Sequence, residues 1–121
     1  MKSHWITHRD KRIFLVDYSN FGSDVASIRE EAKGIIEAVT REPANSVLAL
    51  TDVRGTTGTL DTIAVMKRVV SSTNKHVRRR AVVGVAGLRE SLLDMVNRVT
   101  GNKPFAAFQD IEAAKEWLVK E

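Results

Sequence analysis

Cysteine is absent from the chain, so disulfides, thiolate nucleophiles and cysteine-based metal sites are excluded. No apolar run approaches the roughly 18 residues that a membrane-spanning helix needs. The N-terminal segment MKSHWITHRDKR also lacks the apolar stretch of a secretory signal. Proline occurs only twice, and no repeat, linker or low-complexity tract divides the 121 residues. We therefore expect a cytoplasmic protein with a single domain over residues 1–121.

Basic residues outnumber acidic ones, and they are concentrated in one part of the chain. The net charge is +4, but the segment Ala64 to Lys103 alone contains nine basic and two acidic residues, a net charge of +7. Such a segment attracts phosphate, nucleic acid or anionic lipid, or it simply forms a solvated face. Its run Lys75 to Arg80 has no interleaved aromatic residues for base stacking, which argues against a nucleic-acid partner.

Apolar runs and helical stripes predict five strands and four helices. The predicted strands are His4 to His8, Arg12 to Tyr18, Ser46 to Val53, Arg80 to Val85 and Pro104 to Phe108. The predicted helices run from an N-cap at Ser23 to a stop at Pro43, from Leu60 to Asn74, from Leu88 to Val99, and from Ile111 to Lys120 after an Asp110 cap. The order ββαβαβαβα predicts an α/β fold with a mostly parallel five-stranded sheet, an antiparallel hairpin at its N-terminal edge, and helices packed on the sheet.

The first two predicted helices have one apolar side each. In the first helix, the residues expected on the solvent side are Glu30, Glu31, Lys33 and Glu37. In the second helix, the residues expected to face inward are Ile63, Met66, Val69 and Val70. The unbroken apolar run of the third strand predicts burial on both faces of the sheet.

Three loops follow predicted strands: Asp17 to Asn20, Asp52 to Thr59, and Ala86-Gly87. Because the carboxyl ends of parallel strands meet at one edge of a sheet, we expect these loops to converge. Helices that begin near Leu60 and Leu88 add positive N-terminal ends, which favour anions. The candidate ligand- or partner-binding residues at this edge are Asp17, Tyr18, Asp52, Arg54, Thr56, Thr57 and Thr59.

Carboxylates and histidines are the candidate residues for metal binding and acid–base chemistry. Asp17 and Asp52 are paired carboxylates that suit a metal ion or acid–base catalysis, or they accept loop N–H groups in Asx-turns. His4 and His8 stand four residues apart in a predicted strand, about 13 Å, which is too far to share a metal ion. We predict no catalytic residue, no metal site and no cofactor.

Three threonines precede the second predicted helix. Thr56, Thr57 and Thr59 suit a phosphoacceptor or an anion cradle at the helix N-terminus, where backbone N–H groups and Arg54 would meet a phosphate. Alternatively, Thr59 is the helix N-cap and the other two are turn residues. Both interpretations fit the sequence.

Four strings resemble the SpoIIAA-like family, whose members are small STAS-like domains with a fold related to CRAL-TRIO lipid-binding domains. The strings are FLVDYSN, VLALTDVRG, RRRAVVGVAGL and FAAFQDIEAAKEWL. Together they represent a resemblance over nearly the whole chain. The resemblance implies the α/β fold predicted above.

The resemblance also implies a place for regulation. Classical STAS proteins are anti-sigma-factor antagonists, phosphorylated on a serine or threonine in a D-S-S-G-L-like string before the second helix. At that place this chain has Thr56-Thr57-Gly58-Thr59-Leu60, which makes Thr57 the counterpart of the phosphoacceptor. The string departs from the pattern, because no aspartate directly precedes the threonine pair and Thr59 separates Gly58 from Leu60.

We interpret the chain as a non-enzymatic STAS-like regulatory or binding module that engages a protein partner or a small anionic ligand at the carboxyl edge of its sheet. A second hypothesis is a lipid or small apolar ligand carrier, in which the helix Leu88 to Val99 faces a pocket. A third is a basic surface along Lys67 to Arg80 that binds anions or nucleic acid. Exposed apolar residues on a helix would also allow a homodimer.

Overall fold

The structure, a computed structural model, is described for residues 1–84 and 103–120, and its five strands form one sheet in the order β1-β2-β3-β4-β5. The strands are β1 (His4–His8), β2 (Lys11–Asp17), β3 (Val47–Asp52), β4 (Val77–Val83) and β5 (Phe105–Phe108). The helices are α1 (Val25–Thr40), α2 (Leu60–Thr73) and α3 (Ile111–Val119). None of these helices is long and apolar enough to cross a membrane. The predicted helix Leu88 to Val99 and the loop Ala86-Gly87 lie outside the described residues, as does Val85 at the predicted end of the fourth strand.

The pairing of the strands confirms the predicted α/β fold. Strand β1 is antiparallel to β2, and β2 to β5 are mutually parallel. The hairpin turns through Arg9 and Asp10, both at positive φ (50° and 65°), which is the conformation that two-residue hairpin turns of type I′ require. Lys11 is therefore already the first residue of β2, opposite His8.

Side chains from alternating positions of the sheet form two apolar layers. On one face, Phe14 and Val16 of β2, and Tyr18 directly after it, pack with α1 and α2. On the other face, Ile13 of β2 packs with α3. Strand β3 contributes to both layers and is buried along nearly its whole length, as predicted for a central strand.

Two details predicted for α1 and α2 are wrong. The N-cap of α1 is Asp24 rather than Ser23, and its carboxylate accepts from the N–H of Ser27 at 3.1 Å. In α2 the fully buried residue of the first turns is Thr62, whereas Ile63 is only partly buried. The cap of α1 differs because sequence places the start of a helix only within one or two residues. Helix α2 begins at Leu60 as predicted, so the difference at Ile63 is one of orientation, which depends on how the helix packs on the sheet.

Glu31 corrects a third prediction, since it is buried rather than on the solvent side of α1. Its carboxylate accepts from the backbone N–H of Lys2 at 3.1 Å and of Ser3 at 2.8 Å. The hydroxyl of Ser3 in turn accepts from the backbone N–H of Asp17 at 2.8 Å. The segment before β1 is thus attached both to α1 and to the end of β2.

Candidate functional site

The pairing of β2 and β3 continues past the ends of both strands into their loops. Three backbone bonds of 2.8–3.0 Å form this ladder: Tyr18 N–H to Asp52 C=O, Asn20 N–H to Arg54 C=O, and Gly22 N–H to Gly55 C=O. Asn20, Gly22 and Gly55 all have positive φ. The ladder brings together two of the three loops that were expected to converge, and we call residues 18–22 and 53–59 the edge loops.

Gly84, which directly follows β4, packs against the second edge loop. Its φ is +91°, and a Cβ added there would lie 2.4 Å from Cγ of Arg54 and 3.0 Å from its backbone nitrogen. Such a separation is shorter than real Cβ contacts. The backbone of the loop at Arg54 is therefore held on one side by the first edge loop and on the other by Gly84.

Asp52 and Arg54 form a closed pair at the end of β3. The buried carboxylate of Asp52 accepts from the backbone N–H of Arg54 at 3.0 Å, from its Nε at 3.0 Å and from its Nη2 at 2.8 Å. Hydrogen bonding and charge from Asp52 raise the pKa of Arg54. The side chain of Arg54 is nevertheless 54% exposed, so its guanidinium stands at the surface in a fixed position.

Asp17 makes the equivalent turn at the end of β2. One carboxylate oxygen accepts from the backbone N–H of Ser19 at 2.9 Å and from its hydroxyl at 2.5 Å, with Lys2 Nζ at 3.5 Å. Burial raises the pKa of Asp17, but the bonds from Ser19 and the charge of Lys2 outweigh it, so that the pKa is lowered. Asp17 and Asp52, opposite each other in the sheet, are both used in Asx-turns. The described ranges contain no group of three or more histidines, aspartates or glutamates that would hold a metal ion.

The three threonines have different environments. The hydroxyl of Thr56 donates to the carbonyl of Tyr18 and accepts from the backbone N–H of Phe21 at 3.1 Å, which fastens the two edge loops together. The hydroxyl of Thr59 accepts from the backbone N–H of Thr62 at 3.1 Å and is the N-cap of α2. Thr57 is exposed, and within the described ranges its hydroxyl makes no hydrogen bond.

Leu60, the first residue of α2, was predicted only as a helix start. The structure shows it 89% exposed, and Met1 is the one other large apolar residue that is exposed in the part of the chain described. An apolar side chain in the first turn of a helix gives no sequence signal of exposure, because the turn can face either way. Arg54, Thr57 and Leu60 are thus the exposed side chains of the second edge loop and the residue that follows it, and we call them the edge surface.

Tyr18 lies inside the molecule rather than at the edge. Its side chain is only 2% exposed and lines a cavity of about 40 Å³ between the sheet and α2, together with Arg80 of β4. Burial and the negative charge of Glu31 raise the pKa of Tyr18. The sequence places Arg80 at the end of a basic run and at the start of a predicted strand, and neither pattern indicates that its side chain is buried.

The remaining basic residues divide between structural and exposed positions. Arg79 faces the opposite side of β4, where its Nη1 donates to the carbonyls of Trp117, at 3.0 Å, and Lys120, close to the end of α3. Lys67, Arg68 and Arg78 are exposed. The basic segment is therefore not one continuous surface over the residues described.

Comparisons with known proteins bear on the fold. No family model matches the sequence, and no curated protein matches it. The structure is similar to the crystal structure of an uncharacterized protein from the DUF3478 family with a SpoIIAA-like fold, from Shewanella loihica PV-4. The two chains share 19% sequence identity with a TM-score of 0.66, over 96% of this chain and 91% of the other. The SpoIIAA-like fold expected from the sequence is confirmed, and at this identity the similarity concerns the fold alone.

Proposed function

We propose that the chain is a non-enzymatic STAS-like module that binds a protein partner through the edge surface. The observation that carries this proposal is the exposure of Leu60, at 89%, beside the fixed guanidinium of Arg54. Apolar burial supplies most of the free energy of protein association, and arginine is enriched among the residues that dominate interfaces. The ladder between the edge loops holds the surface before binding, which reduces the entropy lost on association.

The state of the carboxylates supports binding rather than catalysis. A general acid or base needs a carboxylate that can reach a substrate proton. Asp52 is buried and bonded three times by Arg54, and Asp17 is bonded twice by Ser19. The guanidinium of Arg54 and the side chain of Leu60 are the groups that face outward.

Phosphorylation of Thr57 would regulate this surface. Of the three threonines, Thr57 has the exposed hydroxyl, whereas the hydroxyls of Thr56 and Thr59 are engaged in the loops. A phosphate carries about −2 charge at neutral pH, and at this position it would meet Arg54 and the start of α2. Phosphopeptide mapping of the native protein tests this part: phosphate on Thr57 supports regulation, and its absence under all growth conditions removes regulation while leaving binding intact.

The alternatives receive less support. The lipid-carrier hypothesis depends on the helix Leu88 to Val99, which lies outside the described residues. In the part of the chain that is described, the cavity between the sheet and α2 is about 40 Å³, far below the roughly 300–1,000 Å³ of pockets that hold drug-sized ligands. The basic segment uses Arg79 and Arg80 inside the fold, which weighs against a nucleic-acid surface.

A photo-crosslinking residue introduced at position 60 tests the binding proposal, with the same residue at position 33 as the control. Lys33 is 72% exposed on α1 and lies outside the edge surface. We expect one protein to be captured at position 60 and not at position 33. The purified partner should bind Leu60→Asp about tenfold or more weakly than wild type, because a leucine loses its burial.

Equal capture at both positions, or unchanged affinity for Leu60→Asp and Arg54→Ala, would contradict the proposal. If the captured protein is a second copy of this chain, the edge surface is the interface of a homodimer. In that case, sedimentation of wild type and Leu60→Asp should differ in mass at the same concentration.

A further inference from the structure

Arg80 occupies an unusual position for a charged residue. It lies in the middle of β4, faces α2 and is only 6% exposed. Buried arginines are normally paired with a carboxylate, yet no acidic side chain forms an ion pair with Arg80 in the part of the chain described. Burial lowers the pKa of Arg80 to about 10.

The hydrogen bonds of Arg80 satisfy only part of its guanidinium group. Nη2 donates to the carbonyl of Val70 at 3.2 Å and to the hydroxyl of Thr73 at 2.8 Å, in the last turn of α2. An arginine in this place stabilises the carbonyl end of a helix. Nε, however, is buried and has no hydrogen-bond partner among the residues described. Capping alone leaves this charged donor unsatisfied, which is costly in a buried site.

Tyr18 brings a second unsatisfied donor to the same cavity. Its hydroxyl is buried and, within residues 1–84 and 103–120, has no hydrogen-bond partner. Glu31, whose charge acts on Tyr18, is already bonded to the backbone of Lys2 and Ser3. The phenol stays protonated in this environment and is therefore available to donate.

The rest of the cavity is mostly apolar, with lining side chains that include Val16, Val53, Met66, Val69, Val82 and Phe105. Burial and the charge of Arg80 lower the pKa of Lys103. Its Nζ donates to the carbonyl of Val77 at 2.8 Å and to that of Asn74. Among the described residues that line the cavity there are thus one buried cation, two free donors and no carboxylate.

We propose that this cavity is a binding site for a small carboxylate anion, with an oxygen that accepts from Arg80 Nε and from the Tyr18 hydroxyl. A cavity needs about 10–15 Å³ to hold one water molecule, so about 40 Å³ admits about three or four waters, or an anion of the size of formate or acetate. An anion, unlike water, also compensates the buried positive charge. The site is distinct from the edge surface, and its test does not depend on the binding of a partner protein.

The source of the carboxylate is either a free short-chain acid or the end of a longer chain. A series of sodium formate, acetate, butyrate and octanoate at constant ionic strength distinguishes the two. The ¹⁵Nε–¹Hε resonance of Arg80 and the midpoint of thermal unfolding are measured across each titration. We expect saturable changes in both with formate or acetate, and weaker binding as the chain lengthens, since the cavity has no room for a tail. Affinity that rises with chain length would overturn the assignment to a short acid.

Three variants decide whether the two donors hold the anion. Tyr18→Phe keeps the ring in the core and removes one donor, so we expect formate to bind about tenfold or more weakly. Arg80→Met should abolish the effect of formate on the unfolding midpoint. Arg78→Met, an exposed position on the same strand, serves as the control and should respond as wild type does.

An equal response of Tyr18→Phe and wild type would overturn the proposal, even if Arg80→Met fails to fold. So would a crystal structure in saturating formate that shows only water beside Arg80 Nε. If Arg78→Met loses the response to formate as fully as Arg80→Met does, the effect comes from surface charge and the proposal is overturned.

Discussion

At the scale of single residues, Thr57 and Thr59 differ in role although they stand in the same loop. Thr59 accepts a bond from the backbone N–H of Thr62 and begins α2, whereas Thr57 is exposed. We expect Thr59→Ala to lower the free energy of unfolding by about 1 kcal/mol, because an N-cap is lost. Thr57→Ala should stay within about 0.5 kcal/mol of wild type, as exposed substitutions usually do. Urea unfolding of both variants checks this. An equal loss in the free energy of unfolding would show that the N-cap hydrogen bond of Thr59 does not stabilise the protein.

At the scale of elements, Glu31 joins α1 to the segment before β1. Glu31→Gln keeps the size of the side chain but removes the negative charge of the carboxylate that accepts from the backbone N–H groups of Lys2 and Ser3. We expect the free energy of unfolding to fall by about 1–2 kcal/mol, since hydrogen bonds to charged groups are the stronger ones. The amide of Ser3 should also exchange its hydrogen faster.

Glu30→Gln is the matched control for this substitution. Glu30 precedes Glu31 in α1, and its side chain is 77% exposed. It should therefore leave both the stability and the exchange at Ser3 nearly unchanged. If the two variants lose the same stability, the attachment of the N-terminal segment through Glu31 is not what stabilises this end of the sheet.

The sequence predicts those features of the helices and strands that depend on residues close together in the chain. The apolar run of β3 and the Asp110 cap of α3 are local signals, and both are confirmed. Glu31 and Arg80 were misplaced or overlooked because a charged residue usually lies at the surface, and its burial depends on partners distant in sequence. The convergence of the edge loops follows from the strand topology. The inward position of Tyr18 does not, because it depends on packing against residues distant in sequence.

At the scale of the whole molecule, the sheet is shared by two apolar layers, each with its own tryptophan. Trp5 packs in the layer of α1 and α2, with its ring 5.0 Å from that of Phe14, and Trp117 packs in the layer of α3, 5.8 Å from Phe108. Because every strand except the short β1 and β5 supplies residues buried in both layers, we predict that the chain unfolds as one domain.

Single-tryptophan variants, Trp5→Phe and Trp117→Phe, allow each layer to be followed separately by fluorescence during urea unfolding. Leu118→Ala, a fully buried change in α3, should cost about 2–5 kcal/mol. In one cooperative unit this loss lowers the urea midpoint reported by Trp5 as much as that reported by Trp117, although Trp5 lies on the opposite face of the sheet. A midpoint that falls only at Trp117 would mean that α3 unfolds separately from the sheet and that the chain contains more than one cooperative unit.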